Sequence, residues 1–240
     1  GIVFALLTAG FAGSTHLTRW AERGMFGDEI IHSETTPYQR LVITRWKDDL
    51  RLYINGNLQF SSRDEHRYHE ALVHPVLQAL PWARRVLVIG GGDGLAEEKA
   101  TGEVHATPPA NLSSEAAKSA PKCALSRRSA TTTLFSRSEP LVALNRGSLT
   151  DRRVTVVNAD AAQWLEQDRE SFDAIIVDLP DPSNFGLGKL YSVPMYRLLS
   201  RHLAEKGYAV VQSTSPYYAP RSFWDIDATL REAGLHTWPY

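Results

Sequence analysis

The sequence predicts an α/β fold, a doubly wound sheet of mainly parallel strands preceded by a small β-unit. Three observations lead there. Four apolar runs, "RVLVIG" (85–90), "RVTVVNAD" (153–160), "FDAIIVDLPDP" (172–182) and "YAVVQSTSP" (208–216), have the texture of parallel strands covered on both faces. Helical patterns at Ala161–Asp168, Pro194–Glu205 and Arg221–Ala233 follow the last three runs, and alternating strand and helix is the mark of a wound sheet. A glycine-rich turn, Gly90-Gly91-Gly92-Asp93-Gly94, follows the first run at the point where a strand would feed a helix.

In chain order, "GIVFALLTAGFAG" opens with thirteen residues that carry no charge. A helix of that length spans about 20 Å, short of the roughly 30 Å of a hydrocarbon core. Residues 1–20 therefore read either as a buried or irregular chain end or as the remnant of a membrane helix. Residues 21–63 are expected to form the β-unit. In it "LRLYI" and "LQF" flank Asn55-Gly56-Asn57, and Asn-Gly is a strong hairpin signal. Residues 64–240 are expected to form the wound domain. Its first helix spans Asp64–Leu80, with Ser62 and Glu65 at capping-box spacing and a kink or break expected at Pro75.

The segment 97–133 departs from this texture. It contains no Phe, Tyr, Trp, Ile or Met, and it is rich in Ala, Ser, Thr and Pro. Such a stretch buries too little to offset its chain entropy. The helix and second strand that should follow the glycine turn are therefore expected to be disrupted, with nothing paired beside "RVLVIG". From Leu134 ordinary texture returns, and the abrupt change and return has the form of a frame-shifted stretch.

Composition narrows the function classes. The chain has 240 residues, a net charge of −1 and 43% hydrophobic residues, values of a globular domain without an electrostatic footprint for nucleic acid. The single cysteine, Cys123, excludes an intrachain disulfide and fits a reducing, cytoplasmic compartment.

The candidate chemistry lies at strand ends. Asp93, Asp160, Asp178 and Ser213 all fall where wound sheets bind ligands. The loop G-G-G-D-G lacks the G-x-G-x-x-G spacing of a dinucleotide site and better suits an adenosyl-sulfonium compound, although a plain strand-to-helix turn would also use these glycines. Asp160 before Ala161 can bond an adenine amino group, or simply cap the next helix. Asp178 and Asp181 offer two carboxylates for a cation or a proton transfer, although Asp181-Pro182 is also turn chemistry. His69, Glu70 and His74 do not have zinc spacing, and no metal is expected.

Together "YQRLVI", "LYINGNLQFSSRDEHRYHEALVHP", "VLVIGGGDG", "NADA" and "DLPDP" resemble the spermidine synthases, the polyamine aminopropyltransferases. The resemblance covers Pro37–Leu95 and Leu134–Tyr240. The apolar start and "QSTSPYYAPRSFW" resemble the bacterial branch in which this domain follows membrane helices. It implies a methyltransferase-like Rossmann domain that moves an aminopropyl group from decarboxylated S-adenosylmethionine to putrescine or a similar amine, giving spermidine and methylthioadenosine. No further cofactor is implied. The partners would be polyamine and nucleoside substrates, with a homodimer and attachment to the cytoplasmic side of a membrane compatible with the branch. Gln39, with the loop Gly90, Gly91 and Gly92, would contact the nucleoside and its sulfonium. Asp160 and Ala161 would hold adenine. Tyr68, His69, Asp93 and Asp181 would line the amine channel, and Asp178 would accept the proton.

Two departures stand out. The family's second strand ends in an acid that binds the ribose hydroxyls, whereas here that place falls in 97–133, where neither Glu103 nor Glu115 ends an apolar run. The family's domain also continues beyond the position of Tyr240. The rival expectations are an S-adenosylmethionine-dependent methyltransferase on the same fold and a catalytically inactive fragment of the family.

Overall fold

The computed structural model describes residues 3, 24–35, 40–106, 122–126, 139–182 and 185–240. The chain divides into two units, Gly1–His66 and Arg67–Tyr240.

The first unit holds an antiparallel sheet in the order β1 (Glu29–Thr35), β2 (Arg40–Trp46), β3 (Asp49–Ile54), β4 (Asn57–Ser61). The Asn-Gly signal acts as expected: Ile54 pairs with Asn57, and Asn55 and Gly56 both have positive φ, the requirement of a tight primed turn. Strand β1, "EIIHSET", was not expected, because its half-polar sequence gives little alternation to read. Leu41, Val42, Ile43, Leu52 and Phe60 are buried in this unit. Ser62 does not cap the following helix. Its hydroxyl accepts from the Leu50 N–H and donates to Asp49, so it serves the β-unit instead.

The second unit begins with helix α1 (Glu65–Ala79), whose first two residues lie at the boundary. α1 continues through Pro75, so the expected break does not occur. Pro75 lacks the N–H that would bond the carbonyl of Ala71, and the hydroxyl of Tyr240 donates to that carbonyl instead, at 3.0 Å.

Five parallel strands follow in the order β7-β6-β5-β8-β9: β5 (Val86–Gly90), β6 (Lys122–Ser126), β7 (Thr155–Ala159), β8 (Phe172–Asp178) and β9 (Leu203–Val211). Between them lie α2 (Leu95–Ala106), α3 (Glu139–Leu144), α4 (Ala161–Gln167), α5 (Phe185–Gly188) and α6 (Val193–His202), and α7 (Pro220–Glu232) follows β9. Period-2 alternation divides the core. Leu87, Ile89, Ile175 and Val177 face the cluster with Leu165, Met195, Tyr196 and Ile226. Val86, Val88, Ala174 and Ile176 face the cluster with Leu72, Val73, Val76 and Ala100. Burial on both faces is why these strands read as continuous apolar runs.

The expectation of a disrupted second helix and strand is corrected. α2 runs to Ala106, and β6 pairs with β5 at Val88↔Cys123 and with β7 at Cys123↔Val156. Composition bears only on side-chain burial. Strands β5 and β7 each present a row of backbone groups that need partners, and a short segment fills both rows whatever its side chains. β6 ends at Ser126, without a carboxylate. Glu103 lies within α2, and Glu115 lies outside the described residues.

Candidate active site

The sheet reverses direction of winding between β5 and β8, with β6 and β7 on one side and β9 on the other. Ligands of wound sheets sit at the carboxyl end of such a reversal. Asp178 is the last residue of β8, and Asp93 follows the end of β5 by three residues.

The glycine turn brings these two together. Gly90 has φ +98°, and a Cβ there would lie 1.7 Å from the carbonyl oxygen of Asp178, so only glycine permits this approach. The Gly91 N–H donates to that same carbonyl at 3.2 Å. Asp93 then starts α2: its Oδ1 accepts from the Leu95 N–H at 3.0 Å, and its backbone carbonyl accepts from Asn145 Nδ2 at 2.7 Å. Its second carboxylate oxygen faces the site.

Helix α1 supplies the opposite wall. His69 Nε2 lies 3.9 Å from Asp93 Oδ2 and 3.8 Å from Asp178 Oδ2, with the imidazole only 4% exposed. Tyr68, whose ring meets that of His69 edge-on, donates its hydroxyl to Asp178 Oδ1 at 2.5 Å. Three ligand-type atoms of His69, Asp93 and Asp178 fall within 4.8 Å of one another, a cradle for one positive group.

The electrostatics follow from this crowding. Burial, and then the charge of Asp93, push the Asp178 carboxyl up to about 6, against the opposing pull of His69 and the Tyr68 hydrogen bond. Burial of its hydroxyl end, with the Asp178 charge next, pushes Tyr68 well above the ordinary tyrosine value, so it remains a donor. Both acids lie at the edge of the cluster, with side chains 15% exposed for Asp93 and 11% for Asp178, open enough to meet a ligand.

Asp181 is held by different partners. Its Oδ1 accepts from Gln212 Nε2 at 3.0 Å, and Gln212 Oε1 lies 3.0 Å from the Tyr191 hydroxyl. Neither Tyr191 nor Gln212 stood out in the sequence. Gln212 follows the last residue of β9 directly, and strand-end polarity could have found it; the adjacent Ser213 drew that attention, but its hydroxyl turns back to the Val211 carbonyl. Tyr191 sits in a short connecting turn with no periodic signal.

Asp160 acts as a helix cap, its Oδ1 accepting from the N–H groups of Ala162 and Gln163, with Ala161 buried behind it. It stands at the carboxyl end of β7, two strands from the glycine turn. Gly92 lies between Gly91 and Asp93 in the turn, half-buried. Gln39 lies outside the described residues, as does all of the apolar opening run except Val3. Among the described residues no helix is long and apolar enough to cross a membrane.

The model of the family described as "Spermine/spermidine synthase domain" matches residues 65–100 and 137–240. The gap between those spans coincides with the segment of unusual composition. Polyamine aminopropyltransferase 2 of Ralstonia nicotianae is 61% identical over 240 residues, which are 100% of this chain and 44% of the relative. Polyamine aminopropyltransferase of Leptospira interrogans is 45% identical over 238 residues, 99% of this chain and 45% of that protein. The chain thus spans under half the length of these curated relatives. Among solved structures, spermidine synthase from Thermotoga maritima superimposes with a TM-score of 0.70 at 23% identity, over 85% of this chain and 64% of that one. With a strand-end acid pair, a histidine between them and a family match on both sides of the gap, the chain belongs to the spermine/spermidine synthase domain family.

Proposed function

We propose that the domain transfers an aminopropyl group from decarboxylated S-adenosylmethionine to putrescine or a similar diamine, with Asp178 as the proton acceptor. The observation that carries this reading is the Asp93–His69–Asp178 cluster at the sheet's reversal, its histidine buried and its two acids partly open. The names of the relatives support it, as does a second structural neighbour of the same fold, a spermidine synthase solved with the transition-state analogue AdoDATO (TM-score 0.68, 22% identity).

The chemistry asks for such a cluster. An alkyl amine has a pKa near 10, as lysine does, so at neutral pH it arrives as an ammonium without a lone pair. The carboxylates of Asp93 and Asp178 attract that cation. Raising the Asp178 carboxyl from 3.8 to about 6 makes it a stronger base, by about 3 kcal/mol for the proton transfer. The freed lone pair attacks the methylene carbon bonded to the sulfonium sulfur. A carbon–nitrogen bond forms, the carbon–sulfur bond breaks, and its electron pair goes to sulfur, which leaves as a neutral thioether. The leaving group needs no acid. Tyr68 holds the Asp178 carboxylate in place, while Asp181 meets the charged distal amine.

At the nucleoside end, the glycine turn, Gln39, Asp160 and Ala161 would hold the sulfonium and adenine. Among the described residues β6 ends in serine, where the family would place the acid that binds the ribose. This specific observation favours a weakened enzyme that works only at high co-substrate concentration. The finer parts of the reading, a cytoplasmic domain tethered to a membrane, rest on the thirteen uncharged opening residues. A homodimer is the oligomeric form we carry with it.

Binding separates this reading from methyl transfer. With saturating putrescine present, decarboxylated S-adenosylmethionine should compete for the site at least tenfold better than intact S-adenosylmethionine, whose extra carboxylate would meet Asp93. Preference for the intact compound would favour a methyltransferase.

A further inference from the structure

Asp178 and Asp181 are separated by only Leu179 and Pro180, and one hydroxyl is placed against both of those intervening residues. The Tyr191 oxygen lies 3.0 Å from the Leu179 carbonyl, 3.2 Å from the Pro180 carbonyl and 3.0 Å from Gln212 Oε1. A tyrosine hydroxyl has one hydrogen to give, so these three acceptors share a single donor. The ring is buried in the core beside Tyr196 and Met195, which leaves the hydroxyl little freedom to look elsewhere.

Gln212 carries the connection outward. Its backbone N–H is fixed to the Val177 carbonyl at 2.8 Å, so its reach is set by the β8–β9 ladder. An ionised carboxylate only accepts hydrogen bonds, so Asp181 requires the amide N–H₂ of Gln212, and the amide oxygen must then face Tyr191. Asp181 itself is exposed. Without this tie a short, exposed carboxylate would sample several rotamers.

We propose that Tyr191 is a positioning residue that fixes the Leu179–Pro180 link and, through Gln212, the direction of Asp181, and so sets the length of diamine the site accepts. The proposal rests on the aminopropyl-transfer reading, in which Asp178 meets the reacting amine and Asp181 the distal one. The two carboxylates then form the two ends of a gauge, and the carbon chain between the amines must match their separation. A gauge discriminates only if both ends are held. Burial of the Tyr191 hydroxyl raises its pKa far above the usual value, with Tyr196, Asp181 and Asp178 adding to it, so the group keeps its proton at every working pH.

Tyr191→Phe removes the hydroxyl and leaves the ring in the core. The experiment measures kcat and KM for diamines of three, four and five carbons with both forms, together with a thermal melt and a crystal structure of each. The expected result is a wild-type preference for one length of at least tenfold in kcat/KM. In the variant that preference falls at least fivefold, through a raised KM for the favoured diamine, while kcat stays within about twofold. In the variant crystal the Gln212 amide and the Asp181 carboxylate are displaced. An unchanged length profile, a wild type without length preference, or unmoved Gln212 and Asp181 side chains would each overturn the proposal. Should the wild type transfer no aminopropyl group to any diamine, the functional reading falls. The crystal comparison, and calorimetric binding of the same three diamines, then decide the role of Tyr191 by themselves.

Discussion

Asp178 experiences opposing influences from named neighbours, and each can be removed. The carboxyl stands at about 6 because burial and Asp93 raise it more than His69 and Tyr68 lower it. A base works only when ionised, so kcat/KM should fall tenfold per pH unit below about 6 and level off above it. The Tyr68 hydrogen bond favours the carboxylate, so Tyr68→Phe should move this acid limb to higher pH. A limb that stays in place in the variant, or moves to lower pH, would show that Tyr68 does not act on Asp178. At this scale the sequence was informative about acids at strand ends, because strand termini are visible as the end of an apolar run. It was silent about Tyr191 and Gln212, whose importance lies in contacts across 11 and 31 positions of chain, which no local pattern encodes.

The elements show where local reasoning holds and where it fails. Strands β5 and β8 were legible from burial on both faces, β7 from its apolar run alone, and the hairpin at Asn55-Gly56 from turn chemistry. β6 was not, since "KCALS" owes its place to the backbone rows of its two neighbours rather than to its own side chains. The unbroken α1 was missed for a related reason: the Ala71 carbonyl that Pro75 leaves open finds Tyr240, 169 positions away. The missing acid at the end of β6 gives the sharpest test at this scale. Hydrogen bonds to a charged group are worth about 1.5–3 kcal/mol each, so their absence on the ribose should cost a factor on the order of 10². Methylthioadenosine should therefore bind this chain weakly, and Ser126→Glu should tighten it by about tenfold or more in calorimetry. Equal, tight binding by both forms would show that the ribose is held elsewhere and that the unusual segment is a tolerated variation.

For the whole molecule, function follows from the reversal of the sheet. Winding in one direction places β6 and β7 beside β5, winding in the other places β8 and β9, and the gap between β5 and β8 collects Asp93, Asp178 and, from α1, Tyr68 and His69. Among the described residues the amine end collects two carboxylates, a histidine and a tyrosine, while the end of β6 carries a serine in place of an acid, so the proposed reaction should persist but demand a high concentration of co-substrate. The most direct test is product analysis by mass spectrometry, with decarboxylated S-adenosylmethionine and putrescine at saturating concentrations, for the chain and for Asp178→Asn. Spermidine and methylthioadenosine should form in equal amounts from the unsubstituted chain, with a rate lower by about 10²–10⁴ in the variant. Equal rates in the two forms, or a methylated amine as the product, would contradict it.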